Sequence, residues 1–419
     1  METETLKGTK NYTPEEQILR EKIIKIIKEV LERYGFNPIE TPILQPYSLL
    51  SSKYGGGEEI LKECYKLEDR GNRKLGLRYE LTITLARYLN ENPNIKLPFK
   101  RYEIGKIFRD GPVKKARERE FTQIDFDIIG AKSELAELEI LSIFEMVFRK
   151  LNLNVKIQLN NRKILLGLLE YAGVKKGQNS IILTIDKLEK IGEERVKKEL
   201  IEKGLKREQI EKIFNVLEIK GSNEKILSEL KEILKTKDGR EGIEELEKIL
   251  ELSKNYNLKN IVLVTSLARG LSYYTGPIFE VFSPEKTNSS LAAGGRYDKL
   301  FSKFIGKDLP SVGGSFGLDA ISSILKTEKK SKVYVYLIPI GISEDKFLPV
   351  VKKLREKFNT DFDLLGRGIS KNLEFADKNN IPYCIILGKQ EIKSNKVKLK
   401  NMKTGEEKIL DLEEIFELI

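Results

Sequence analysis

Residues 101–130 read RYEIGKIFRDGPVKKAREREFTQIDFDIIG, a pattern of two strands joined by a basic loop. The segments 99–108 and 121–129 are rich in the β-branched and aromatic residues that strands favour. Consecutive strands without a helix between them predict an antiparallel sheet. Gln123 and Asp127 lie four positions apart on the second strand, so their side chains point to the same face. The hairpin therefore predicts an antiparallel sheet with polar groups on one face.

The cations of this hairpin could bind an anion. Arg109 closes the first strand, and four more cations follow it: Lys114, Lys115, Arg117 and Arg119. Cations fixed between two strands suit a nucleoside triphosphate. However, Glu118 and Glu120 lie among them, and a solvated loop would have the same composition. The hairpin alone leaves both interpretations open.

The composition removes several kinds of chemistry. The 419 residues include no histidine and no tryptophan. Ser-His-Asp and Cys-His hydrolysis, histidine-ligated zinc or haem, and histidine proton shuttling are therefore excluded for this chain's own side chains. Cys64 and Cys384 lie too far apart in sequence to predict a metal cage, and they suit a reduced compartment. The chemistry must depend on Arg, Lys, carboxylates, amides and hydroxyls.

The length and the local composition predict three regions. The sheet pattern occupies 1–160 and returns at 261–325, whereas 161–260 reads as a separate insertion of Lys/Glu-rich helices. A polar linker follows, and 331–419 alternates strands and helices as a small α/β domain does. The first residues lack an apolar signal core, no apolar run is long enough for a bilayer, and we expect a cytoplasmic protein. The formal charge of +11 is spread along the chain, which suits either a large polyanion or solubility.

Four further motifs contain possible site residues. LARGLSYYTGPIFE (267–280) could aim Arg269 at an anion while Tyr273 and Tyr274 wall a pocket, or it could be a glycine turn with core tyrosines. LRYELTITLARYL (77–89) would place Glu80 and Thr82 on one side of an extended segment, suited to an ammonium group or to a surface strand end. The glycines of LAAGGRYDKL (291–300) and SVGGSFGLDAI (311–321) permit close backbone approach. They could form the floor of an ATP site, or they could allow tight packing in the core.

In their order along the chain, these motifs resemble one family, the class II histidyl-tRNA synthetases. LKGTKNYTPEE (6–16) resembles its N-terminal signature, and GFNPIETPILQP (35–46), with Pro42, is similar to class II motif 1. The hairpin resembles motif 2, and LARGLSYYTG and AAGGRYD (292–298) resemble two histidine-specific signatures. Residues 366–392 and 402–415 are similar to the family's anticodon-binding domain. The short patterns LRY-acid-LT and DFDI-G resemble those of the archaeal and eukaryotic branch of this family.

The resemblance implies an α+β fold and an activity. A class II antiparallel-sheet catalytic domain (1–160 and 261–325) would carry the helical insertion (161–260) and precede a C-terminal α/β anticodon-binding domain (331–419). The enzyme would activate L-histidine with ATP to histidyl-adenylate, with Mg²⁺ accompanying ATP, and transfer it to tRNA(His). Motif 1 forms the subunit contact in this class, so the resemblance also implies a homodimer.

The resemblance further assigns roles to individual residues. Glu80 and Thr82 would hold the histidine α-ammonium with help from Gln123, and Leu81 would also contact histidine. The imidazole would be surrounded by Asp127, Tyr273, Tyr274 and Tyr297. Arg109 would bind the α-phosphate, Arg117 would contact ATP, and Arg269 would stabilise the transition state where other class II enzymes use a metal ion. No protein metal site is implied.

Two positions depart from the family pattern. Motif 3 ordinarily ends in an arginine that binds ATP, but residues 317–320 read Gly-Leu-Asp-Ala, which leaves Lys115 or Mg²⁺ as possible replacements for Ala320. The usual aspartate after Arg-Gly-Leu is Ser272 here. A silent paralogue, such as the regulatory subunit of ATP phosphoribosyltransferase, and an RNA-binding sensor on the same scaffold are the alternatives. The intact histidine signature favours the active enzyme.

Overall fold

The computed structural model describes residues 3–51, 62–113, 118–284, 290–327 and 331–419. The chain divides into two units. One contains Met1–Asn11 and Lys22–Leu325, and the other contains Tyr12–Glu21 and Lys326–Ile419. Within the described ranges, no helix combines the length and the apolar character that crossing a bilayer requires.

The first unit contains a large sheet and a small one. Its strands are β1 (Asn37–Pro38), β2 (Leu44–Pro46), β3 (Lys66–Glu68), β4 (Lys74–Leu77), β5 (Phe99–Phe108), β6 (Glu120–Ile129), β7 (Lys156–Asn161), β8 (Ile261–Leu263), β9 (Pro277–Phe282), β10 (Ala292–Arg296) and β11 (Ser311–Gly317). The large sheet has the order β1-β5-β6-β11-β10-β9-β7-β8, and the small one has the order β2-β4-β3. The large sheet is antiparallel except at its two ends, where β1 pairs with β5 and β7 pairs with β8 in parallel. The prediction of an antiparallel sheet is confirmed for its centre.

Helices of the chain up to residue 325 surround or extend this sheet. They are α1 (Pro14–Arg33), α2 (Tyr47–Leu50), α3 (Thr82–Glu91), α4 (Leu135–Lys150), α5 (Arg162–Tyr171), α6 (Gln178–Ile185), α7 (Leu188–Ile191), α8 (Glu193–Glu202), α9 (Arg207–Leu217), α10 (Asn223–Ile233), α11 (Lys237–Asn255), α12 (Ser302–Ile305) and α13 (Leu318–Ile324). The segment between β7 and β8 consists of the helices α5 to α11 and the loops that join them, and it leaves and rejoins the sheet on two neighbouring strands, since Ile157 pairs with Ile261.

The alternation of β6 separates the core from the polar face of the sheet. Phe126 points into an aromatic cluster, where its ring lies 5.5 Å from Phe144 of α4 and 5.3 Å from Phe316 of β11. Gln123 and Asp127 occupy the opposite face, because successive side chains of a strand alternate. The pairing of β5 with β6 continues over ten residue pairs, from Phe99–Ile129 to Phe108–Glu120. This long hairpin gives the polar face a rigid support.

The part of the second unit from residue 331 onward has the alternating strands and helices of an α/β domain, as the sequence predicts. Its elements in chain order are β12 (Val335–Ile340), α14 (Glu344–Arg355), β13 (Thr360–Phe362), α15 (Ile369–Lys378), β14 (Tyr383–Gly388), α16 (Lys389–Ser394), β15 (Val397–Asn401), β16 (Glu407–Leu410) and α17 (Leu412–Leu418). The sheet order is β13-β12-β14-β15-β16. The first three of these strands are parallel, and β15 and β16 extend the sheet antiparallel to β14.

Candidate functional site

Two adjoining cavities lie over the polar face of the large sheet. The inner cavity has a volume of ≈ 90 Å³ and the outer cleft one of ≈ 540 Å³, and both are lined by Arg109, Arg269 and Leu271. The polar lining of the inner cavity comes from five separate chain segments: Glu80, Thr82, Gln123, Asp125, Asp127, Tyr273, Tyr274, Tyr297 and Ser315. All the histidine-binding residues implied by the resemblance line it except Leu81. Leu81 is buried, and its carbonyl oxygen accepts a hydrogen bond from Thr84 instead.

Asp127 is held at the bottom of the inner cavity by two partners. The Tyr297 hydroxyl donates a hydrogen bond to Asp127 Oδ1, and Nη2 of the buried Arg101 lies 2.6 Å from Asp127 Oδ2. Burial raises the pKa of Asp127, whereas Arg101 and the Tyr297 hydrogen bond act in the opposite direction. The charge of Arg101 thus compensates a carboxylate that would otherwise be costly to bury.

The position of Asp127 depends on a glycine of the neighbouring strand. Gly313 of β11 pairs with Asp127 of β6. A Cβ atom at Gly313 would lie 1.9 Å from Asp127 Oδ1 and 3.0 Å from the carbonyl oxygen of Phe126. A side chain at position 313 would overlap the Asp127 carboxylate, so this position requires glycine.

Glu80 and Asp125 form a second acidic group in the same cavity. Burial, together with the negative charge of Asp125, raises the pKa of Glu80 to about 8, although the positive charge of Arg109 opposes the shift. Burial likewise raises the pKa of Asp125 to about 7. Within the described ranges, Glu80 Oε1 and Gln123 Oε1 are buried without a hydrogen-bond partner. A ligand that fills this cavity must therefore supply hydrogen-bond donors, and a cationic group suits it best.

The structure corrects the predicted geometry of residues 77–89. We expected Glu80 and Thr82 on one side of an extended segment, but β4 ends at Leu77 and α3 begins at Thr82. Both side chains are buried. The β-branched residues of this segment suggested a strand, and tertiary packing favours a helix despite that propensity. The two residues nevertheless reach the same cavity, because a turn and a helix start place them side by side.

A network of buried charges supports the inner cavity from β5. Besides Asp127, Arg101 faces Glu103 at 3.7 Å. Glu103 also pairs with Arg78 at 2.7 Å and accepts a hydrogen bond of 2.8 Å from the Thr41 hydroxyl. Truncating one member of such a network leaves another charge buried and unpaired, which is strongly destabilising.

The outer cleft contains the cations that could bind phosphate groups. Arg269 Nη1 donates to Glu280 Oε1 at 2.7 Å, and its guanidinium lies 5.6 Å from the Tyr274 ring. Arg109 Nε donates to the Tyr79 carbonyl oxygen at 3.1 Å. Glu280 thus orients Arg269, and Tyr79 orients Arg109, at the junction of the two cavities.

Several site residues were missed by the sequence analysis. Asp125 and Ser315 line the inner cavity, and the two-residue period of β6 that indicates Gln123 and Asp127 would also have indicated Asp125. Lys190 of α7 and Asp186 line the outer cleft together with Ala320. Lys190 Nζ lies 3.6 Å from Asp186 Oδ2. No local pattern indicates these two, because they reach the cleft from the helical segment between β7 and β8.

Other sequence-based predictions cannot be placed in the site. Arg117 and Lys115 lie outside the described residues. Among the residues that the structure describes, no group of three or more carboxylates or cysteines could hold a metal ion.

Comparison with known protein families matches two parts of the chain. The family described as "Histidyl-tRNA synthetase" matches residues 8–321, and the family described as "Anticodon binding domain" matches residues 334–419. The chain belongs to the histidyl-tRNA synthetase family. Its alignment to the family includes both cavities and every strand of the large sheet.

Relatives within the synthetase family share most of the chain. "Histidine--tRNA ligase 1" of Bacillus cereus is 43% identical over 417 residues, which is 97% of each chain. "Histidine--tRNA ligase 2" of Shouchella clausii is 43% identical over 96% of this chain and 97% of its own. The histidyl-tRNA synthetase structure from Nostoc sp. PCC 7120 covers 100% of both chains with a TM-score of 0.86 and 30% identity.

These relatives correct one part of the sequence interpretation. They are bacterial, so the assignment to the branch of archaea and eukaryotes is not supported. The short motifs on which that assignment depended are too few to distinguish branches of a synthetase family.

Proposed function

We propose that this chain is a histidine–tRNA ligase. It converts L-histidine and ATP to histidyl-adenylate and pyrophosphate, then transfers the histidyl group to tRNA(His) and releases AMP. The observation that supports this most is the junction of an acidic inner cavity with a larger cleft, where Arg109 and Arg269 line both. An amino acid in the first and a nucleotide in the second would meet at these two cations.

In this proposal the inner cavity recognises histidine at both ends. Asp127, paired with Arg101, accepts a hydrogen bond from an imidazole N–H. Tyr273, Tyr274 and Tyr297 enclose the ring. At the other end Glu80, Thr82 and Gln123 bind the α-ammonium, which supplies the donors that Glu80 Oε1 and Gln123 Oε1 lack in the empty cavity. Because the cavity offers acceptors at both ends, an amino acid needs a hydrogen-bond donor on its side chain as well as its α-ammonium to bind there.

Adenylate formation then depends on positioning and on charge. The histidine carboxylate oxygen attacks the α-phosphorus of ATP, and the bond to the pyrophosphate oxygen breaks in line with it. Arg109 holds the α-phosphate, and Arg269 stabilises the negative charge that accumulates on its oxygens. We assign to Lys190, which lines the same cleft as Ala320, part of the positive charge that the motif 3 arginine would supply. We also assign Arg117 to ATP binding, on the resemblance alone.

Mg²⁺ fits this proposal as a companion of ATP. The outer cleft offers carboxylates such as Glu118 and Asp319, the kind of oxygen ligand that Mg²⁺ prefers. The described residues contain no larger acidic cluster that would hold the ion without ATP. Mg²⁺ would supply charge neutralisation on the phosphates, and the roles of the arginines do not depend on it.

The decisive experiment is ATP–pyrophosphate exchange with each amino acid in turn. We expect exchange with histidine alone. A silent paralogue or an RNA-binding sensor would show none, and Ala320 is the observation that favours the sensor. A structure titled as an ATP phosphoribosyltransferase regulatory subunit/histidyl-tRNA synthetase from Bacillus halodurans has a TM-score of 0.77 with 19% identity, which shows the shared fold only.

We further propose the functional division of the chain and its assembly. Residues 1–160 and 261–325 would form the catalytic domain, 161–260 the insertion, and 331–419 the domain that reads the anticodon. The segment around Pro42 resembles the motif that forms the subunit contact in class II, so we expect a homodimer. Sedimentation of a monomer at micromolar concentration would contradict this expectation.

The raised pKa of Glu80 predicts a pH-dependent affinity for histidine. The empty protein holds a proton on Glu80 below about pH 8, and this proton must leave before the carboxylate can pair with the α-ammonium. Affinity should therefore rise roughly 20-fold between pH 6.5 and 8.5, as measured by titration calorimetry. In Glu80→Gln the affinity should be lower and its pH dependence flatter. The imidazole of free histidine titrates equally with both proteins, so an identical pH dependence in both would exclude Glu80 as its origin.

A further inference from the structure

The segment that carries Arg269 lies between two strands of the large sheet without belonging to either. Residues 268–274, which we call the arginine segment, form neither helix nor strand. Strand β8 ends before it at Leu263, and β9 begins after it at Pro277. Since no strand ladder holds this backbone, the place of Arg269 over the cleft depends on other contacts.

The side chain of Asn160, in strand β7, holds the start of the arginine segment. Its amide nitrogen Nδ2 donates hydrogen bonds to the carbonyl oxygens of Thr265 at 3.0 Å and of Leu267 at 2.8 Å. All three residues are buried, and Asn160 is only 2% exposed. A primary amide has two N–H donors, and both are used on this turn. Because a buried carbonyl oxygen without a donor is costly, the two bonds fix the backbone two residues before Arg269.

The other end of the arginine segment has an attachment of its own. The backbone N–H of Thr275 donates to the Arg296 carbonyl oxygen at 2.9 Å. Tyr274, one of the tyrosines that enclose histidine in the proposed function, directly precedes Thr275. The tyrosine therefore lies near the end of the segment that Asn160 does not contact, whereas Arg269 lies near the end that it does.

We propose that Asn160 is a positioning residue for adenylate formation, which acts by placing Arg269 against the α-phosphate of ATP. Glu280 Oε1 accepts from Arg269 Nη1 at 2.7 Å and orients the guanidinium, while Asn160 fixes the backbone from which that side chain extends. Asn160 itself lines neither the inner cavity nor the outer cleft. This role depends on the proposed ligase function and adds a residue to it that acts only through Arg269.

The test is the nearly isosteric variant Asn160→Asp, which removes both donors and keeps the size of the side chain. The two carbonyl oxygens then lose their partner, and the start of the arginine segment should move away from the carboxylate. Since a displacement of about 1 Å at a reacting group can cost 100-fold in rate, we expect kcat of histidine-dependent ATP–pyrophosphate exchange to fall roughly 10- to 100-fold. The KM for histidine should stay within about threefold of wild type, because the tyrosines keep their own attachment. An unchanged kcat in the folded variant would overturn the proposal.

A double-variant cycle separates positioning from a general loss of structure. In Arg269→Ala no guanidinium is left for Asn160 to place, so adding Asn160→Asp should lower the remaining exchange by no more than about twofold. A purely structural defect would lower exchange by the same factor in both backgrounds. Equal losses in the two backgrounds would therefore contradict the proposal.

The matched control is Asn223→Asp at the start of α10. Asn223 also binds backbone with its amide, since Nδ2 donates to the Ile261 carbonyl oxygen at 3.1 Å and Oδ1 accepts from the Leu263 N–H at 2.8 Å. These contacts hold β8 rather than the arginine segment, so this variant should lower the melting temperature and keep kcat. A loss of kcat in Asn223→Asp as large as in Asn160→Asp would count against a specific role of Asn160.

A second variant keeps the test independent of folding. Asn160→Ser retains one hydroxyl donor, should lose less kcat than Asn160→Asp, and takes its place in the same cycle where the aspartate variant does not fold. Full additivity with Arg269→Ala would overturn the proposal for either variant. Absence of exchange in the wild-type protein would instead overturn the proposed function.

Discussion

Replacing Arg269 with alanine should lower the rate of histidine-dependent ATP–pyrophosphate exchange by about 10³-fold. Arg269 lies at the junction of the two cavities and is oriented by Glu280 at 2.7 Å. In the proposed reaction its charge matters most when negative charge accumulates on the α-phosphate, so its loss should reduce kcat rather than substrate affinity. Pyrophosphate exchange at saturating histidine and ATP measures this loss directly.

The affinity for histidine provides the control for this variant. The inner cavity keeps Glu80, Asp127 and the three tyrosines, so calorimetry should find a dissociation constant within a few-fold of wild type. Glu280→Gln is a useful comparison, because it retains the shape of the partner but not its charge and should give a smaller loss of exchange. Exchange within tenfold of wild type in Arg269→Ala would remove its catalytic role.

Replacing Gly313 with alanine should weaken histidine binding by roughly 100-fold, comparable to losing a hydrogen bond to a charged group. The new Cβ would lie 1.9 Å from Asp127 Oδ1, so the carboxylate must leave its place beside Arg101 and Tyr297 or the two strands must separate. Either movement removes the acceptor that we assign to the imidazole. Calorimetry without ATP isolates this effect from catalysis.

The matched control lies on the same strand. A Cβ at Gly317 would meet its nearest neighbours at ordinary distances, 3.5 Å to Ala320 Cβ and 3.6 Å to the Leu291 carbonyl oxygen. Gly317→Ala should therefore bind histidine as the wild type does. Thermal melting of both variants shows whether overpacking of the sheet, which costs about 1–3 kcal/mol, has unfolded the protein. Wild-type affinity in a folded Gly313→Ala variant would show that Asp127 is not required for histidine.

The hairpin of β5 and β6 could be predicted because its information is local. Two ten-residue strands with a polar loop specify their own pairing, and the alternation of β6 separates Phe126 from Asp127 without any knowledge of the rest of the chain. The same reasoning holds for the α/β unit at the carboxyl end. In both cases the pattern of apolar residues and the tertiary structure agree.

The remaining site residues depend on contacts between distant segments. Glu80 and Thr82 were predicted as site residues but in the wrong conformation, because β-branched residues fit a strand and the helix α3 forms only through tertiary packing. Asp186 follows α6 and Lys190 lies in α7, both about 80 residues before Arg269 in sequence, and nothing in their own segment indicates that they reach the outer cleft. Only the folded topology shows that such residues reach the site.

The connection of the helical segment to the sheet has a consequence for how the catalytic unit could change in evolution. Its two ends enter neighbouring, hydrogen-bonded strands, and α5, α10 and α11 pack against strands of the sheet, so changes of length are best accommodated elsewhere in the segment. The entropy of closing such an excursion grows only with the logarithm of its length, and additions or deletions within it should be cheap. The position of Lys190 limits such changes near α7, because this residue lines the outer cleft. A segment that changes in length while its two ends stay fixed can be remodelled without disturbing the two cavities.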